Sequence, residues 1–411
     1  MISEPDIGAV HGLAAQSEAG IEALLLALLA HATDSLEGCR KAVPIVRDAL
    51  ASAGLDVEVH SSGGAGAPHF PILVGWCGRR TVTPDMLLCA HLDTSPPGQG
   101  WSRNPLGEDS GEFIFGRGAV VSKSDVAVFI HAVKAARQFL KDLPDVSVAV
   151  AITCDEGSGG DHGAAHLLEP LGLRPRMAVF AGVSDAVTIA HNGCVQLKIK
   201  LTGTACHQSL VPRREDAMRH ATAICESLYA HADELAARPG SIPGLAHPTL
   251  NVTRVTAGSA FGMSPRDVEI WVDRRVLPDE ELDAARDEVL SRITALAAQT
   301  DVRTEVSVVR MAEPMRPADS AKAFVRLLQD EAELAFGKTL EAQGSTLYTD
   351  ARWFSNAGIA TVMFGAGEAD VKTSGANGSN ERIPKRCLRE GAVILARTIV
   401  RYCLQTSGGQ S

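Results

Sequence analysis

The 411-residue sequence predicts an α/β fold, a mostly parallel sheet flanked by helices, with a smaller α+β domain inserted into it. Three observations carry this. The length exceeds one ordinary domain and suffices for two cores. Short apolar runs such as Met86–Ala90 and Val146–Thr153 alternate with helical stretches, the pattern of buried parallel strands joined by helical crossovers. Near His191 the texture changes: Val195–Leu201 alternates apolar and polar residues, as a half-solvated antiparallel strand does, and α/β texture returns after residue 309.

Taken in order, Ile21–Ala53 holds two amphipathic helical stretches, the second (Lys41–Ala53) stopping at Gly54, a residue suited to the position just past a helix end. Strands follow at Leu55–His60, Phe70–Gly75 and Met86–Ala90, then a helix over about Asp125–Leu140 and the strand Val146–Thr153. The insertion, residues 193–309, reads as the strand Val195–Leu201, a helix over about Asp216–Ala236, strands near Asn251–Thr256 and Asp267–Val272, a helix Glu280–Gln299 and a strand Arg303–Val309. That order is the split β-α-β, ferredoxin-like plan. Helix Ser320–Phe336, strand Ala360–Phe364 and a last helix from about Pro384 to Leu404 complete the larger domain, assigned to residues 1–192 and 310–411.

Composition narrows the function. With 45% hydrophobic and 21% charged residues the chain has the balance of a soluble globular protein. A net charge of −10 and the lack of a Lys/Arg-dense run argue against nucleic acid, which needs a basic face, and favour a small-molecule substrate. The first residues carry no basic n-region, and the apolar run Ile21–Ala30 is too short to span a bilayer, so no membrane role is expected. Nine scattered cysteines without a C-x-x-C indicate neither a disulfide framework nor a zinc knuckle, and point to the reducing cytoplasm.

Chemistry-bearing residues cluster after predicted strands, where open α/β sheets place their ligand crevice. Cys89-Ala90-His91-Leu92-Asp93 ends one strand and Thr153-Cys154-Asp155-Glu156-Gly157 ends another. Gly116-Arg117-Gly118-Ala119-Val120-Val121-Ser122-Lys123 precedes a helix. Further on stand Cys206-His207, Asp273-Arg274-Arg275, Thr349-Asp350-Ala351-Arg352 and Asn377-Gly378-Ser379-Asn380-Glu381. Each has a structural reading beside the functional one. Asp155 and Glu156 serve either as acid/base groups or as loop acids capping the next helix. Lys123 is either an electrophilic stabiliser or an ion-pair partner of Asp93 or Asp155. Asp125 reads as the N-terminal acid of its helix, Asp350 and Arg352 as a scaffold ion pair or a substrate contact, and Glu381 as a scaffold contact or an acid. Cys154, beside the acidic motif, reads as a core thiol before a nucleophile.

These motifs, in this order, resemble the acetylornithine deacetylase, succinyl-diaminopimelate desuccinylase and aminoacylase group of zinc metallopeptidases, over nearly the whole chain. The resemblance implies a phosphorylase/hydrolase-like catalytic domain, an inserted dimerisation (lid) domain, a homodimer, and amide hydrolysis at two zinc ions. His91 and Asp93 match the family's H-x-D, a zinc ligand and its supporting aspartate. The remaining ligand positions depart from the pattern. Val121 stands at the bridging carboxylate of G-R-G-x-x-D-x-K, Gly157 at the ligand of D-E-E-x-G, Val183 at that of V-G-E-P, and Asn377 at the histidine of A-H-x-x-N-E. Glu156 then aligns with the general base; a one-residue shift makes Asp155 the base and Glu156 a ligand. His207 matches a histidine that steadies the oxyanion across the dimer, and Arg275 an arginine that holds a substrate carboxylate, a task suited to a planar bidentate donor.

Zinc needs anionic or imidazole ligands, and a two-metal site needs a bridging carboxylate between cations about 4 Å apart. Val121, Gly157 and Val183 donate nothing. The expectation is therefore an enzyme with no metal or other cofactor, on an amidohydrolase/deacylase scaffold, acting on a small acylated amino acid or dipeptide-like substrate by hydrolysis, transfer, cyclisation or elimination. His91 with Asp93 would form its acid/base dyad, Glu156 or Asp155 the second carboxylate, and Lys123 and His207 the electrophilic stabilisers. Arg275, Asn377 and Arg352 would contact substrate. Two alternatives are a pseudoenzyme that binds an amino-acid-type ligand or a partner, and a residual mononuclear zinc hydrolase.

Overall fold

The computed structural model describes residues 4–63, 68–141, 143, 145–258 and 260–408. Its strands are β1 (Asp56–Ser62), β2 (Phe70–Gly78), β3 (Met86–His91), β4 (Glu108–Asp109), β5 (Phe113–Phe115), β6 (Ser147–Thr153), β7 (Met177–Phe180), β8 (Ala186–His191), β9 (Gly193–Thr202), β10 (Thr249–Ala257), β11 (Asp267–Val276), β12 (Arg303–Ala312), β13 (Glu341–Ser345), β14 (Thr361–Met363) and β15 (Arg382–Pro384). They form an eight-stranded sheet ordered β1-β2-β6-β3-β7-β14-β8-β13, a four-stranded sheet and a small three-stranded sheet ordered β15-β5-β4.

The chain divides into two compact units. One comprises Met1–Ile189, Pro317–Ala342 and Thr349–Ser411. Its sheet is parallel through β6-β3-β7-β14 and antiparallel where β1 meets β2, β2 meets β6 and β8 meets β14. Every residue of β3 and β6 is buried, as strands covered on both faces must be. Alternation splits them: Met86, Leu88, Ala90, Val148, Val150 and Ile152 enter the main apolar core. The helices Lys123–Leu140 and Lys385–Gly408 pack together on that side. Leu87, Cys89 and His91 therefore face the other way, toward the face where Phe180 meets Phe354 of the short helix Ala351–Asn356 edge to face, with ring centroids 5.2 Å apart.

The other unit comprises Ala190–Arg316 with Gln343–Tyr348. Its sheet, β10-β11-β9-β12, is antiparallel throughout and carries the helices Ala217–Ala236 and Leu282–Ala297, which gives the split β-α-β plan. Val195, Leu197, Ile199 and Leu201 alternate into a core with Ile224, Leu228, Val289 and Ile293. Val255, Trp271 and Val308 are left exposed.

Among the described residues no single helix is long and apolar enough to cross a membrane; one bent pair, Ile7–Gln16 and Glu18–Leu29, passes that test by length and composition. The second of these helices buries Ile21, Leu25, Leu28 and Leu29 in the protein core.

Candidate functional site

Register positions the site. In the β3–β6 pair His91 lies opposite Thr153, and the Leu92 amide donates to the Thr153 carbonyl at 2.9 Å. The two strands thus end together, and the segments that follow, Leu92-Asp93 and Cys154–Gly157, emerge side by side. Ser122 clasps the first: its hydroxyl receives the His91 amide and donates to the His91 carbonyl, both at 3.0 Å. Asp93 ties the two segments, since its carboxylate accepts from the amides of Glu156 (3.2 Å) and Gly157 (2.9 Å).

His91 lies between two carboxylates. Nδ1 is 3.3 Å from Asp93 Oδ1 and Nε2 is 3.9 Å from Glu156 Oε2, and all three side chains are mostly buried. Burial alone would discharge the imidazole, but Asp93, Glu156 and the more remote Asp350 outweigh it and raise its pKa to about 10. Burial likewise opposes the charge on Asp93, yet the imidazolium and the two amides hold that carboxyl below its usual range. Nδ1 is oriented by the Asp93 backbone carbonyl at 3.0 Å with that residue's carboxylate beside it, and the second carboxylate lies on the other edge of the imidazolium. Such a group can donate a proton or stabilise an oxyanion, and Glu156 can accept a proton.

Glu156, rather than Asp155, reaches the histidine. Asp155 begins a tight turn over Glu156–Ser158, and its Oδ2 accepts from the His162 amide at 2.6 Å instead. Burial, with the nearby charge of Asp93, raises Asp155 to about 6.

Asp350 is the group the sequence reading placed wrongly. It forms no scaffold ion pair with Arg352. Arg352 donates to the Gly159 carbonyl at 2.7 Å and lies over the Trp353 ring, with 4.3 Å from guanidinium carbon to ring centroid. Asp350 is buried against Gly160, with no hydrogen-bond partner on either oxygen among the described residues, and burial plus the charges of Glu156 and Asp155 drive its pKa well up. It therefore sits beside the cluster as a carboxyl whose ionised form burial strongly disfavours.

Lys123 corrects another expectation. It pairs with neither Asp93 nor Asp155 and is not brought to His91; its Nζ donates to the His31 carbonyl at 2.8 Å. Asp125 is in the first turn of its helix but is no solvated end-acid. It is buried, accepts from the amides of Ala366 (2.9 Å) and Gly182 (3.4 Å), and is raised to about 8 by burial. Glu381 is scaffold: fully buried, it pairs with Arg117 at 2.7 Å and accepts from the Val120 and Val121 amides. Cys154 is buried beside Cys39, its thiol pKa raised by that neighbour and by burial, which makes it a poor nucleophile. Asn377 is exposed, and its Oδ1 accepts from Ser95 at 3.2 Å.

In the smaller unit His207 is exposed and caps a short turn through Ser209. Arg275 is occupied by Asp273, with 2.8 Å from Nε to Oδ1. The clasp of Ser122 escaped the sequence reading, because nothing in its spacing shows that the segment before the helix folds back on β3.

The donors do not fit a two-zinc centre. Among the described residues the one group able to hold an ion is His91, Asp93 and Glu156, whose ligand atoms lie within 4.8 Å of one another. These three side chains supply one imidazole and two carboxylates, both Asp93 oxygens receive backbone amides, and the side chains of Val121, Gly157 and Val183 carry no donor atom, so nothing here bridges two cations.

An α/β sheet with a histidine–carboxylate cluster at its carboxyl edge, joined to a split β-α-β unit, is the architecture of the M20 peptidase-family hydrolases. The model of peptidase family M20/M25/M40 matches residues 87–401, and the chain belongs to that family. A succinyl-diaminopimelate desuccinylase of Paracoccus denitrificans is 26% identical over 385 residues, covering 88% of this chain and 93% of that protein. One of Rhizorhabdus wittichii is 32% identical over 176 residues, 40% of this chain and 45% of that protein. The fold is also that of human carnosine dipeptidase 1 (TM-score 0.75, 15% identity, 97% of this chain and 100% of that one). An M20 family metallo-carboxypeptidase of Sulfolobus solfataricus is similar too (TM-score 0.72, 15% identity, 92% and 98%).

Proposed function

We propose that this protein hydrolyses the amide bond of a small acylated amino acid or dipeptide-like molecule by acid/base chemistry, without the dizinc centre of its relatives. The observation that carries the reading is His91 held between the carboxylates of Asp93 and Glu156, where four of the five positions that resemblance assigns to zinc ligands hold Val121, Gly157, Val183 and Asn377. Glu156 takes a proton from the attacking water, His91 stabilises the oxyanion, and the proton passes to the leaving nitrogen. Asp93 keeps the ring oriented. Arg275, on releasing Asp273, is the proposed contact for a substrate carboxylate, and His207 a further oxyanion donor. A homodimer in a reducing cytoplasm is part of the proposal; all nine cysteines are free.

The first experiment is elemental mass spectrometry on protein purified without chelator or metal-binding tag, followed by turnover of N-succinyl, N-acetyl and dipeptide substrates with and without a chelator. Metal-free protein, with turnover that resists chelation and is lost in His91→Ala and Glu156→Gln, is the expected result. One or two zinc ions per chain, with turnover lost on their removal, would overturn it. A second reading has its own support: with both ring nitrogens facing carboxylates, His91 is also suited to a purely structural role, in a protein that binds such ligands without turning them over. Binding with no turnover of any of these substrates would establish that instead.

A further inference from the structure

Glu156 is carried by a segment whose sequence gives it little reason to hold one shape. Gly157-Ser158-Gly159-Gly160 follows it, with Gly159 at φ +118° and Gly160 at φ +74°, and glycine loses more conformational freedom on ordering than any other residue. Gly157 and Ser158 are exposed, so hydrogen bonds rather than packing must fix the turn. At its start Asp93 accepts the Glu156 and Gly157 amides, and the Asp155 carbonyl accepts from the amides of Ser158 and Gly160, both at 3.0 Å. At its end the Gly159 amide donates to the Glu156 carbonyl at 2.9 Å.

The other side of Gly159 is gripped by a helix far away in sequence. The Gly159 carbonyl accepts from Arg352 Nη2 at 2.7 Å and from Trp353 Nε1 at 3.0 Å. A carbonyl oxygen has two lone pairs, and successive side chains of one helix supply a donor for each, the charged one forming the stronger bond. Arg352 is 8% exposed and lies over the Trp353 ring, which fixes the two donors relative to each other. The helix Ala351–Asn356 that presents them is seated by Phe354, fully buried against Phe180. With a Cβ at Gly160 only 2.0 Å from Asp350 Oδ1, the loop comes this close to the helix only as glycine. Gly159 thus joins the two: the helix holds its carbonyl, and its amide closes on Glu156.

We infer that Arg352 and Trp353 are positioning residues for Glu156: by holding the Gly159 carbonyl they fix the turn that keeps the Glu156 carboxylate 3.9 Å from His91 Nε2. In this role neither side chain needs to touch substrate, in contrast to the contact expected of Arg352 from the sequence. The effect on turnover rests on the hydrolytic reading above; the effect on the turn does not. Hydrogen–deuterium exchange of the full-length protein, read by mass spectrometry on peptides covering residues 154–162, is compared in wild type, Arg352→Met, Trp353→Phe, Arg352→Lys and Phe354→Leu. Melting temperatures are measured alongside, with kcat and KM on whichever N-succinyl, N-acetyl or dipeptide substrate the wild type turns over.

Arg352→Met should speed exchange of the Glu156 and Gly157 amides by about tenfold, as loss of one charge-assisted hydrogen bond implies. It should lower kcat by about 10²-fold, the effect of misplacing a catalytic group by about 1 Å, and leave KM within about twofold. Trp353→Phe, which removes the neutral donor and keeps a ring, should act the same way to a smaller degree and serves if Arg352→Met does not fold. Arg352→Lys, able to offer an N–H to the same carbonyl, should recover part of both losses. Phe354→Leu, which loosens the helix and removes neither donor, should lower the melting temperature with little change in exchange or kcat. Unchanged exchange in Arg352→Met and Trp353→Phe, a raised KM without a fall in kcat, or equal loosening of the turn in Phe354→Leu would overturn the assignment. Faster exchange in the two variants of a protein that turns over none of the substrates would uphold the anchor and overturn the hydrolytic reading instead.

Discussion

Replacing Asp93 with asparagine asks whether the charge on His91 is made by its neighbours. At 3.3 Å a unit charge pair is worth about 5 kcal/mol at an effective dielectric of ~20. That is roughly 3.5 pK units at about 1.4 kcal/mol each. Glu156, at 3.9 Å, contributes about 4 kcal/mol by the same rule. Burial opposes both, and the three together leave His91 near 10. Asp93→Asn keeps the size of the side chain and an acceptor for one of the two amides, so the segment stays in place while the larger electrostatic contribution goes. The His91 pKa should fall by about 3 units, to near neutrality. Because the folded pKa lies above the unfolded value of 6.5, the stabilisation from His91 is fully present below about pH 6.5 and is lost as pH rises toward 10. The substitution should remove most of that dependence. Titration of ¹³C-histidine-labelled protein by NMR gives the pKa, and urea unfolding at pH 6 and pH 9 gives the linked stability. A wild-type His91 that titrates between 6 and 7, or one unmoved by Asp93→Asn, would refute the reasoning.

Three further outcomes are expected. Asp125, raised by burial to about 8, contributes stability that is present below its unfolded pKa near 3.8 and is lost as pH rises through 8. Asp125→Asn keeps an oxygen for the Ala366 and Gly182 amides, so urea unfolding should show it flattening that loss and exceeding the wild type above pH 8. Gly160→Ala places a Cβ 2.0 Å from Asp350 Oδ1 at φ +74°, whereas Gly172→Ala, at φ +67° with nothing within 4 Å, meets only the backbone penalty. The second should cost about 1 kcal/mol and the first at least ~2 kcal/mol more in chemical denaturation. Glu381→Gln leaves Arg117 buried without its counter-charge and should cost about 3–5 kcal/mol, read as a fall in melting temperature.

Much of this molecule was legible in its sequence because its central elements are strongly patterned. Met86–Ala90 and Val148–Ile152 are unbroken apolar runs, and Gly193–Thr202 alternates cleanly, so their type and order could be read directly. Elements without such patterns were missed. The helix Glu4–Gln16 is rich in alanine and glycine with weak periodicity, Met177–Phe180 is four residues long, and Glu341–Ser345 has almost no apolar content and is a strand only because a neighbour pairs with it. The site divides in the same way. His91, Asp93 and Glu156 follow directly from their strand ends. The choice between Asp155 and Glu156 depends on a turn of three residues, and the direction of Lys123 on a left-handed glycine five positions earlier. Neither is written in local spacing. The isolation of Asp350 is a property of the packed interior, invisible until the helix Ala351–Asn356 docks.

The clasp between Ser122 and β3 bears on how this site can be rebuilt. His91 is held by backbone bonds to a serine and by strand register. The resemblance to the family matches Val121, Gly157, Val183 and Asn377 to ligand positions. Gly157 lies outside the left-handed region, and a Cβ there would approach Asp93 Oδ2 at 3.3 Å, close enough to need a slight adjustment but no rearrangement. Installing carboxylates at Val121, Gly157 and Val183 and a histidine at Asn377 would accordingly graft new donors onto a finished frame. Donor side chains can thus be added one at a time beside His91, with the clasp and the strand register left as they are.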